Sequence, residues 1–255
     1  LEFTTQSPEI DESAFHGRDA RGLVETLSRE KARWVARQQT PDTLVIGADT
    51  VVVLDGAILG KPRDGAEAEA MLAALSIVLV YVVHFPIFPA APFLEYDPAD
   101  IPILIGTFAY GPVAGIILTV VVSVIQGMTV SASSGLMGIA MHIFATSILV
   151  LVAGNIYRLK HTKKGAVIAL ICGVAAMTAG MVVFNYFITP YFITPDIADA
   201  AAVAANRDFV KTLLVPVIIP FNLIKAGVNG LVTFLVYKTV SRHLVHGEGW
   251  EKRPK

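Results

Sequence analysis

A long stretch without charged residues constrains this chain more than any other feature. Residues 101–157 contain no Asp, Glu, Lys or Arg. A soluble domain has no need of such a stretch, whereas each helix that crosses a bilayer needs about 20 consecutive apolar residues. Further apolar segments lie at 165–188 and 212–237, and a longer polar connection is expected between them at 190–211. The sequence therefore predicts a mainly α-helical membrane domain.

The number of membrane helices depends on residues 101–126. These residues form either one long helix or two short helices separated at Gly111-Pro112, because a proline inside a helix removes a hydrogen bond and tends to break it. Two helices here give six crossings in total, and one gives five. The basic segment 158–164 and the basic carboxyl-terminal tail should be cytoplasmic by the positive-inside rule. Six crossings then place the amino terminus in the cytoplasm as well, which suits a soluble amino-terminal part without a signal peptide.

The amino-terminal part differs from the rest in composition. Residues 1–76 are net acidic and the remainder is net basic, although the whole chain has a formal charge of −1. We divide the chain into a truncated soluble α/β fragment at 1–69, a six-helix membrane domain at 70–240 and a basic cytoplasmic tail at 241–255.

Local patterns indicate the elements of the amino-terminal fragment. Periodic apolar residues predict a helix, a β-branched run predicts a buried strand, and Asp-Gly predicts a hairpin turn. In chain order we expect a helix at 21–38, a buried strand at 43–54, a turn at 55–56 and a second strand at 57–59. A second helix begins near Gly65 and runs without a break into apolar residues as far as Phe85.

Lys225 is the one charged residue in the segment 212–237. A charged side chain at the centre of a membrane helix costs about 2.5–3.5 kcal/mol on insertion scales, so such residues are usually functional. Asn222 and Asn229 lie three residues before and four after it, on the same face of a helix. Amides offer both a donor and an acceptor. The three side chains suit a flat, neutral heterocycle with alternating C=O and N–H groups, such as a flavin or a base.

These residues also have purely structural interpretations. Asn222 and Asn229 could tie helices together, and for Asn229 this is the favoured interpretation. We interpret Gln126 and His142 as helix–helix contacts rather than ligands. Small residues at 111 and 115 indicate either a close helix crossing or a docking surface for a partner subunit. Aromatic residues that could cover the faces of a ring are Phe184, Tyr186, Phe187 and Phe221.

Residues 77–240 resemble the riboflavin-binding S component of energy-coupling-factor (ECF) vitamin transporters. The resembling stretches are FPIFPAAPFLEYDPADIPILIGTFAYGPVAGIILT, GLMGIAMHIFATSILVLVAG, MTAGMVVFNYFITP and IIPFNLIKAGVN. The resemblance implies a six-helix bundle in a bacterial plasma membrane, with both termini cytoplasmic and a riboflavin site roofed by the first loop. The substrate-binding residues that it implies are Asn185, Asn222 and Lys225, with Tyr96 and Asp97 in a gating loop. Because riboflavin is neutral, we expect Lys225 to need no anionic partner and Lys225→Met to lower the cost of insertion.

The same resemblance implies a transport function without enzymatic activity. Import would be driven by ATP through a transmembrane coupling protein and two ATP-binding subunits, and the chain itself has no G-x-x-x-x-G-K-[ST] loop. We expect no cofactor in the membrane domain and no nucleic-acid partner. Transport of another vitamin is the alternative within this class.

Residues 6–76 resemble the Maf family of nucleoside triphosphate pyrophosphatases. The matching segments are SPEIDES, LSREKA, VIGADTVVVLDGAILGKP and AEAEAMLAALS. The resemblance implies that the active-site positions are Glu12, Lys31, Asp49, Thr50 and Lys61, with Mg²⁺ as a possible cofactor. A carboxylate at a strand end can hold a metal or activate water, and lysines can neutralise phosphates.

This fragment departs from its family in ways that bear on activity. The family's opening Ser-Pro-Arg-Arg segment and the second half of its fold are absent. About 70 residues with an opened sheet struggle to offset the entropy of folding. We therefore expect little or no hydrolysis, and a membrane-tethered pyrophosphatase is the alternative function. The two resemblances meet in MLAALS, so the fusion falls inside one shared apolar helix.

Overall fold

The computed structural model describes residues 4–15, 19–49, 51–54, 57–59, 62, 64–88, 94–132 and 135–244. The chain forms two compact units, Leu1–Lys61 and Pro62–Lys255. The boundary between the units comes just before a helix that begins at Gly65, whereas our division at residue 69 falls inside that helix.

The amino-terminal unit contains one helix and one hairpin among its described residues. Helix α1 spans Ala20–Ala36 and follows a 3₁₀ turn at Glu12–Phe15. Asp19 caps α1, since its side chain accepts a hydrogen bond from an otherwise unpaired backbone N–H of the first turn. Strands β1 (Val52–Leu54) and β2 (Ala57–Leu59) pair antiparallel. The predicted helix and the pairing of the two strands are confirmed, whereas the predicted turn at 55–56 lies outside the described residues.

The predicted buried strand at 43–54 is wrong over most of its length. Residues 43–49 have no regular secondary structure, and strand β1 covers only the last three positions. Leu44 and Ile46 are 86% and 84% exposed. A strand needs a hydrogen-bonded neighbour, and a single hairpin is marginal in water. Among the described residues of this unit, β1 and β2 pair only with each other. Residues 43–49 therefore have no neighbouring strand with which to pair.

The carboxyl-terminal unit is mainly helical. Its strands and helices are, in chain order, α2 (Gly65–Val82), β3 (Phe85–Pro86), β4 (Glu95–Tyr96), α3 (Asp100–Tyr110), α4 (Pro112–Met128), α5 (Gly135–Leu159), α6 (Lys163–Phe187), α7 (Thr189–Ile193), α8 (Ala200–Leu213) and α9 (Ile219–Leu244). Strands β3 and β4 pair antiparallel and precede α3. The helix predicted near Gly65 does continue unbroken into the apolar sequence, although it ends at Val82 rather than Phe85.

Four helical segments in the described part of the chain are long and apolar enough to cross a membrane. They are Gly65–Val82, Gly135–Leu159, Lys163–Phe187 and Ala200–Tyr237. Helices α3 and α4 are also apolar but shorter. They are separate helices because Gly111 adopts a φ of 98°, which residues other than glycine rarely tolerate, and Pro112 begins α4. The predicted break at Gly111-Pro112 is therefore confirmed.

The predicted polar connection at 190–211 is instead largely helical. It contains α7 and α8, and the side chain of Asp199 caps α8 by accepting hydrogen bonds from two backbone amides. Helix α8 then passes into α9 through one π-helical turn, Leu214–Ile218, which contains Pro216. Proline lacks an N–H, and single π turns commonly accommodate such interruptions near functional sites.

Gly115 allows helices α3, α4 and α5 to pack closely. A Cβ atom at this position would lie 2.1 Å from Thr107 Oγ1 and 2.6 Å from Val150 Cγ1. The predicted close crossing is thus confirmed for Gly115. It is wrong for Gly111, where a Cβ atom would meet no described atom within 4 Å, because this glycine serves the helix break.

Candidate functional site

The helical unit encloses a cavity of about 590 Å³. This volume falls within the range of about 300–1,000 Å³ that is typical of small-molecule sites. Helices α4 to α9 and the segment before α3 form its walls, which are mostly apolar. Polar side chains at the cavity include Asp97, Gln126, His142, Asn185, Asn222 and Lys225. The cavity therefore has the form of a site for a small, largely apolar molecule that makes a few directed polar contacts.

Lys225 lies on the cavity wall and is held by a carboxylate. Its Nζ atom donates a hydrogen bond of 2.7 Å to Asp97 Oδ2, and both residues are buried. The sequence suggested a solitary ammonium that needed no anion, and this interpretation is wrong. A buried charge is costly unless it is paired, so the carboxylate explains why the lysine is tolerated here.

Asp97 connects three parts of the helical unit. Besides Lys225 of α9, its carboxylate accepts hydrogen bonds from Gln126 Nε2 of α4 at 3.2 Å and from the backbone N–H of Ala99 at 3.1 Å. The segment between β4 and α3 is thereby fixed against the cavity. Asp97 in this segment and Asp100 at the start of α3 are both almost completely buried.

Asn229 has a structural role. Its Nδ2 donates to the backbone oxygen of Asp97 at 3.0 Å and to Asp100 Oδ2 at 3.1 Å, while its Oδ1 accepts from the Tyr96 hydroxyl at 2.9 Å. The interpretation of Asn229 as a tie between elements is confirmed. Tyr96, which the resemblance placed in a gating loop, is not among the residues that line the cavity.

Asn185 and Asn222 both line the cavity, as does Lys225. Each amide donates from Nδ2 to the carbonyl four residues earlier in its own helix, at 2.8 Å in both cases. Asn185 Oδ1 accepts from the Thr189 hydroxyl at 3.0 Å. Asn222 Oδ1 has no hydrogen-bond partner within the described part of the chain. These local bonds fix the amide orientation, so that Asn222 presents an acceptor.

Gln126 and His142 line the same cavity, although we interpreted them only as helix–helix contacts. They do make such contacts: Gln126 binds Asp97, and His142 Nδ1 lies 2.6 Å from Ser123 Oγ. The signal that could have found them is their occurrence as polar residues within the long uncharged stretch, because polar groups in membrane helices often mark a functional site.

The aromatic residues at the cavity differ partly from those expected. Phe221 lines it, as expected, but Phe184, Tyr186 and Phe187 do not. Phe192 of α7 and Phe209 of α8 contribute instead. The sequence interpretation missed them because it treated this part of the chain as a polar connection.

The amino-terminal unit brings together three of its five predicted active-site residues. Lys31 Nζ lies 3.0 Å from Glu12 Oε1 and 2.5 Å from Asp49 Oδ1. Burial by itself lowers the pKa of Lys31, but the hydrogen bonds and charges of Asp49 and Glu12 outweigh burial and raise the pKa above its ordinary value. Thr50 and Lys61 lie outside the described residues.

The described residues of this unit do not fit a magnesium site. Both carboxylates face the ammonium of Lys31, which occupies the position that a cation would take. Within the described ranges no group of three or more metal-ligating side chains comes together. Mg²⁺ needs several oxygen ligands in octahedral geometry.

Two family models match the chain. Residues 69–237 match the substrate-specific component of ECF transporters, and residues 1–84 match Maf-like protein. The two matches overlap at residues 69–84, most of which lie in helix α2. The first match covers most of the chain and agrees with the cavity-bearing helical unit. The chain belongs to the family of substrate-specific components of ECF transporters.

Individual relatives agree with this assignment. Riboflavin transporter FmnP of Bacillus subtilis is 30% identical over 66% of this chain and 87% of its own length. Riboflavin transporter RibU of Staphylococcus aureus is 32% identical over 69% of this chain and 89% of its own length. A solved structure, described as the S component of a bacterial ECF transporter, superposes with a TM-score of 0.57 at 30% identity and covers 70% of this chain and 95% of its own.

The amino-terminal region has relatives of a different kind. A dTTP/UTP pyrophosphatase of Symbiobacterium thermophilum is 50% identical over 76 residues. The chain spans only 39% of that relative's length.

Proposed function

We propose that this chain is a membrane substrate-binding subunit that captures riboflavin for ATP-driven import. The observation that carries the proposal is the convergence of Asn185, Asn222 and Lys225 on one cavity of ligand size. Support also comes from the two riboflavin transporters, which align over nearly their whole length.

The chemistry of the cavity suits the ring of riboflavin, which is neutral and flat and carries alternating C=O and N–H groups. The ammonium of Lys225 has three donors, of which Asp97 takes one, so the others are free for a ring carbonyl. Asn222 Oδ1 supplies an acceptor. Apolar walls and aromatic side chains such as Phe221 cover the faces of the ring.

We further propose that the helical unit crosses the membrane six times, with α2, α3, α4, α5, α6 and α9 as the crossing helices. Helix α3 has 11 residues and a length of about 16 Å, so it crosses only where the bilayer is thinned or where neighbouring helices surround it. Both termini are then cytoplasmic. The chain works with an ECF transmembrane coupling protein and two ATP-binding subunits.

Binding of free riboflavin to the full chain in detergent tests this proposal. We expect yellow colour in the purified protein and quenching of flavin fluorescence on titration, both weakened in the Lys225→Ala variant. Competition with other vitamins tests the alternative substrate. A folded parent protein that neither carries nor quenches flavin would overturn the proposal.

A second candidate function concerns the amino-terminal unit. The cluster of Glu12, Lys31 and Asp49 and the match to Maf-like protein favour a nucleoside triphosphate pyrophosphatase. We expect little or no activity, because the chain spans well under half of its pyrophosphatase relatives. Release of pyrophosphate from UTP or dTTP, abolished by Asp49→Asn, would establish the activity, and no release from a folded sample would exclude it.

A further inference from the structure

Gln126 presents a buried acceptor that the protein leaves unused. A carboxylate can only accept hydrogen bonds, so the amide nitrogen of Gln126 must face Asp97 Oδ2, which lies 3.2 Å away. The amide oxygen therefore points elsewhere. This Oε1 atom is buried and has no hydrogen-bond partner among the residues that the structure describes. Gln126 is itself only 8% exposed and lines the cavity.

His142 presents a second unused acceptor. The Ser123 hydroxyl has one hydrogen, which it donates to the backbone oxygen of Thr119 at 2.5 Å. In its contact of 2.6 Å with His142 Nδ1, the serine must therefore accept, so the proton of the neutral ring is on Nδ1. This leaves Nε2 with a lone pair. The Nε2 atom is buried and lies 3.8 Å from Asp100 Oδ1, too far for a hydrogen bond, and no other described residue bonds to it.

The two acceptors belong to one part of the cavity wall. Ser123, which fixes the histidine ring, lies three residues before Gln126 and so shares its face of α4. Helices α4 and α5 pack against each other, and both side chains line the same cavity. Buried polar atoms without partners are rare in proteins and commonly indicate a missing water, ion or ligand. Two acceptors without donors call for a partner that brings its own N–H or O–H groups.

We propose that Gln126 Oε1 and His142 Nε2 form an acceptor subsite that receives hydrogen-bond donors of the bound ligand and determines its specificity. This inference rests on the proposed function. In riboflavin the donor is either the imide N–H of the ring or a hydroxyl of the ribityl chain. The subsite rejects ligands in which that donor is replaced, because the buried acceptors then stay unpaired.

Binding of three flavins to the full chain in detergent tests the subsite. The ligands are riboflavin, 3-methylriboflavin, which lacks the ring N–H, and lumiflavin, which lacks the hydroxyls. We expect the parent to bind at least one analogue about tenfold more weakly than riboflavin, as is typical when a buried polar group loses its partner. In Gln126→Met or His142→Phe, the difference in affinity between riboflavin and that analogue should shrink to about threefold or less. Met181→Leu is the control, since it changes an apolar part of the wall and should keep the full loss.

The outcomes separate the subsite from the proposed function. The added methyl group of 3-methylriboflavin can also weaken binding by crowding alone. Methionine is similar in size to glutamine, so such crowding would persist in Gln126→Met. An unchanged loss of affinity in this variant would therefore overturn the subsite but not the proposed function. A parent protein that binds both analogues as tightly as riboflavin would also overturn the subsite, without any variant that might misfold. A parent that binds no flavin would overturn the proposed function and the subsite with it.

Discussion

The ammonium of Lys225 and the carboxylate of Asp97 lie 2.7 Å apart, although 128 residues separate them in the chain. The contact joins the second turn of helix α9 to the segment between β4 and α3, at the wall of the cavity. Each group is buried, so each depends on the other for its charged form. Ligand binding and the stability of the helical unit therefore share the same pair of residues.

Lys225→Met should weaken both riboflavin binding and stability. Removal of the ammonium leaves the carboxylate of Asp97 buried without a counter-charge, and breaking such a pair costs about 3–5 kcal/mol. The expectation from the sequence alone was easier insertion, because the lysine was thought to be solitary. Thermal melting in detergent measures the loss of stability, and flavin fluorescence measures binding.

The double variant Lys225→Met, Asp97→Asn is the matched control. Asparagine carries no charge and keeps an oxygen for the backbone N–H of Ala99, while its amide nitrogen can donate to Gln126 Oε1 once the glutamine amide is reversed. Most of the lost stability should therefore return. Riboflavin binding should remain weak, because the ammonium is still absent. Equal melting temperatures for the single and double variants would show that the charge pair does not stabilise the helical unit.

Asn222→Ala should mainly affect riboflavin binding, whereas Asn229→Ala should mainly affect stability. Asn222 lines the cavity and makes one bond within its own helix, so its loss should weaken riboflavin binding about tenfold with little change in melting temperature. Asn229 binds Tyr96, Asp97 and Asp100, so its loss should lower the stability by about 1–3 kcal/mol. Titration and melting of both variants measure the two effects. The reverse pattern would contradict the assignment of these roles.

The sequence predicted the helices well because apolar runs and prolines act locally. The break at Gly111 needs a special backbone angle and a proline, and both are visible in the sequence. Lys225, Asn222 and Asn185 were equally visible as lone polar residues in apolar segments, and all three line the cavity.

The remaining features depend on contacts between distant parts of the chain. No local pattern pairs Asp97 with Lys225, and none shows that Gln126 contacts a partner with one end of its amide and leaves the other end free. The failed strand at 43–49 has the same origin. Its β-branched composition is suitable, but strand formation requires a neighbouring strand, which local sequence does not reveal.

Gly115→Ala should destabilise the helical unit. The added Cβ atom would lie 2.1 Å from Thr107 Oγ1, so α3 and α4 must move apart at a cost of about 1–3 kcal/mol. Gly227→Ala is the control on α9, where a Cβ atom would meet no described atom within 4 Å. Gly227→Ala should leave the melting temperature in detergent unchanged or raise it slightly, since alanine favours a helix more than glycine does. Equal effects of both substitutions would contradict the close packing at Gly115.

The amino-terminal unit should keep its ion pairs far into the alkaline range. Asp49 and Glu12 raise the pKa of Lys31 above the ordinary value of 10.5. A lysine whose pKa is higher in the folded than in the unfolded state contributes stability that is complete below the unfolded pKa and is lost as pH rises through the folded pKa. In a Trp250→Phe background, Trp34 of α1 is the one remaining tryptophan and reports on this unit in the full chain. Its fluorescence should stay constant up to about pH 10 and change above it, since Lys31 then loses its charge. Lys31→Met should lack this transition, and a parent whose signal changes well below pH 10 would show that the lysine does not hold the two carboxylates together.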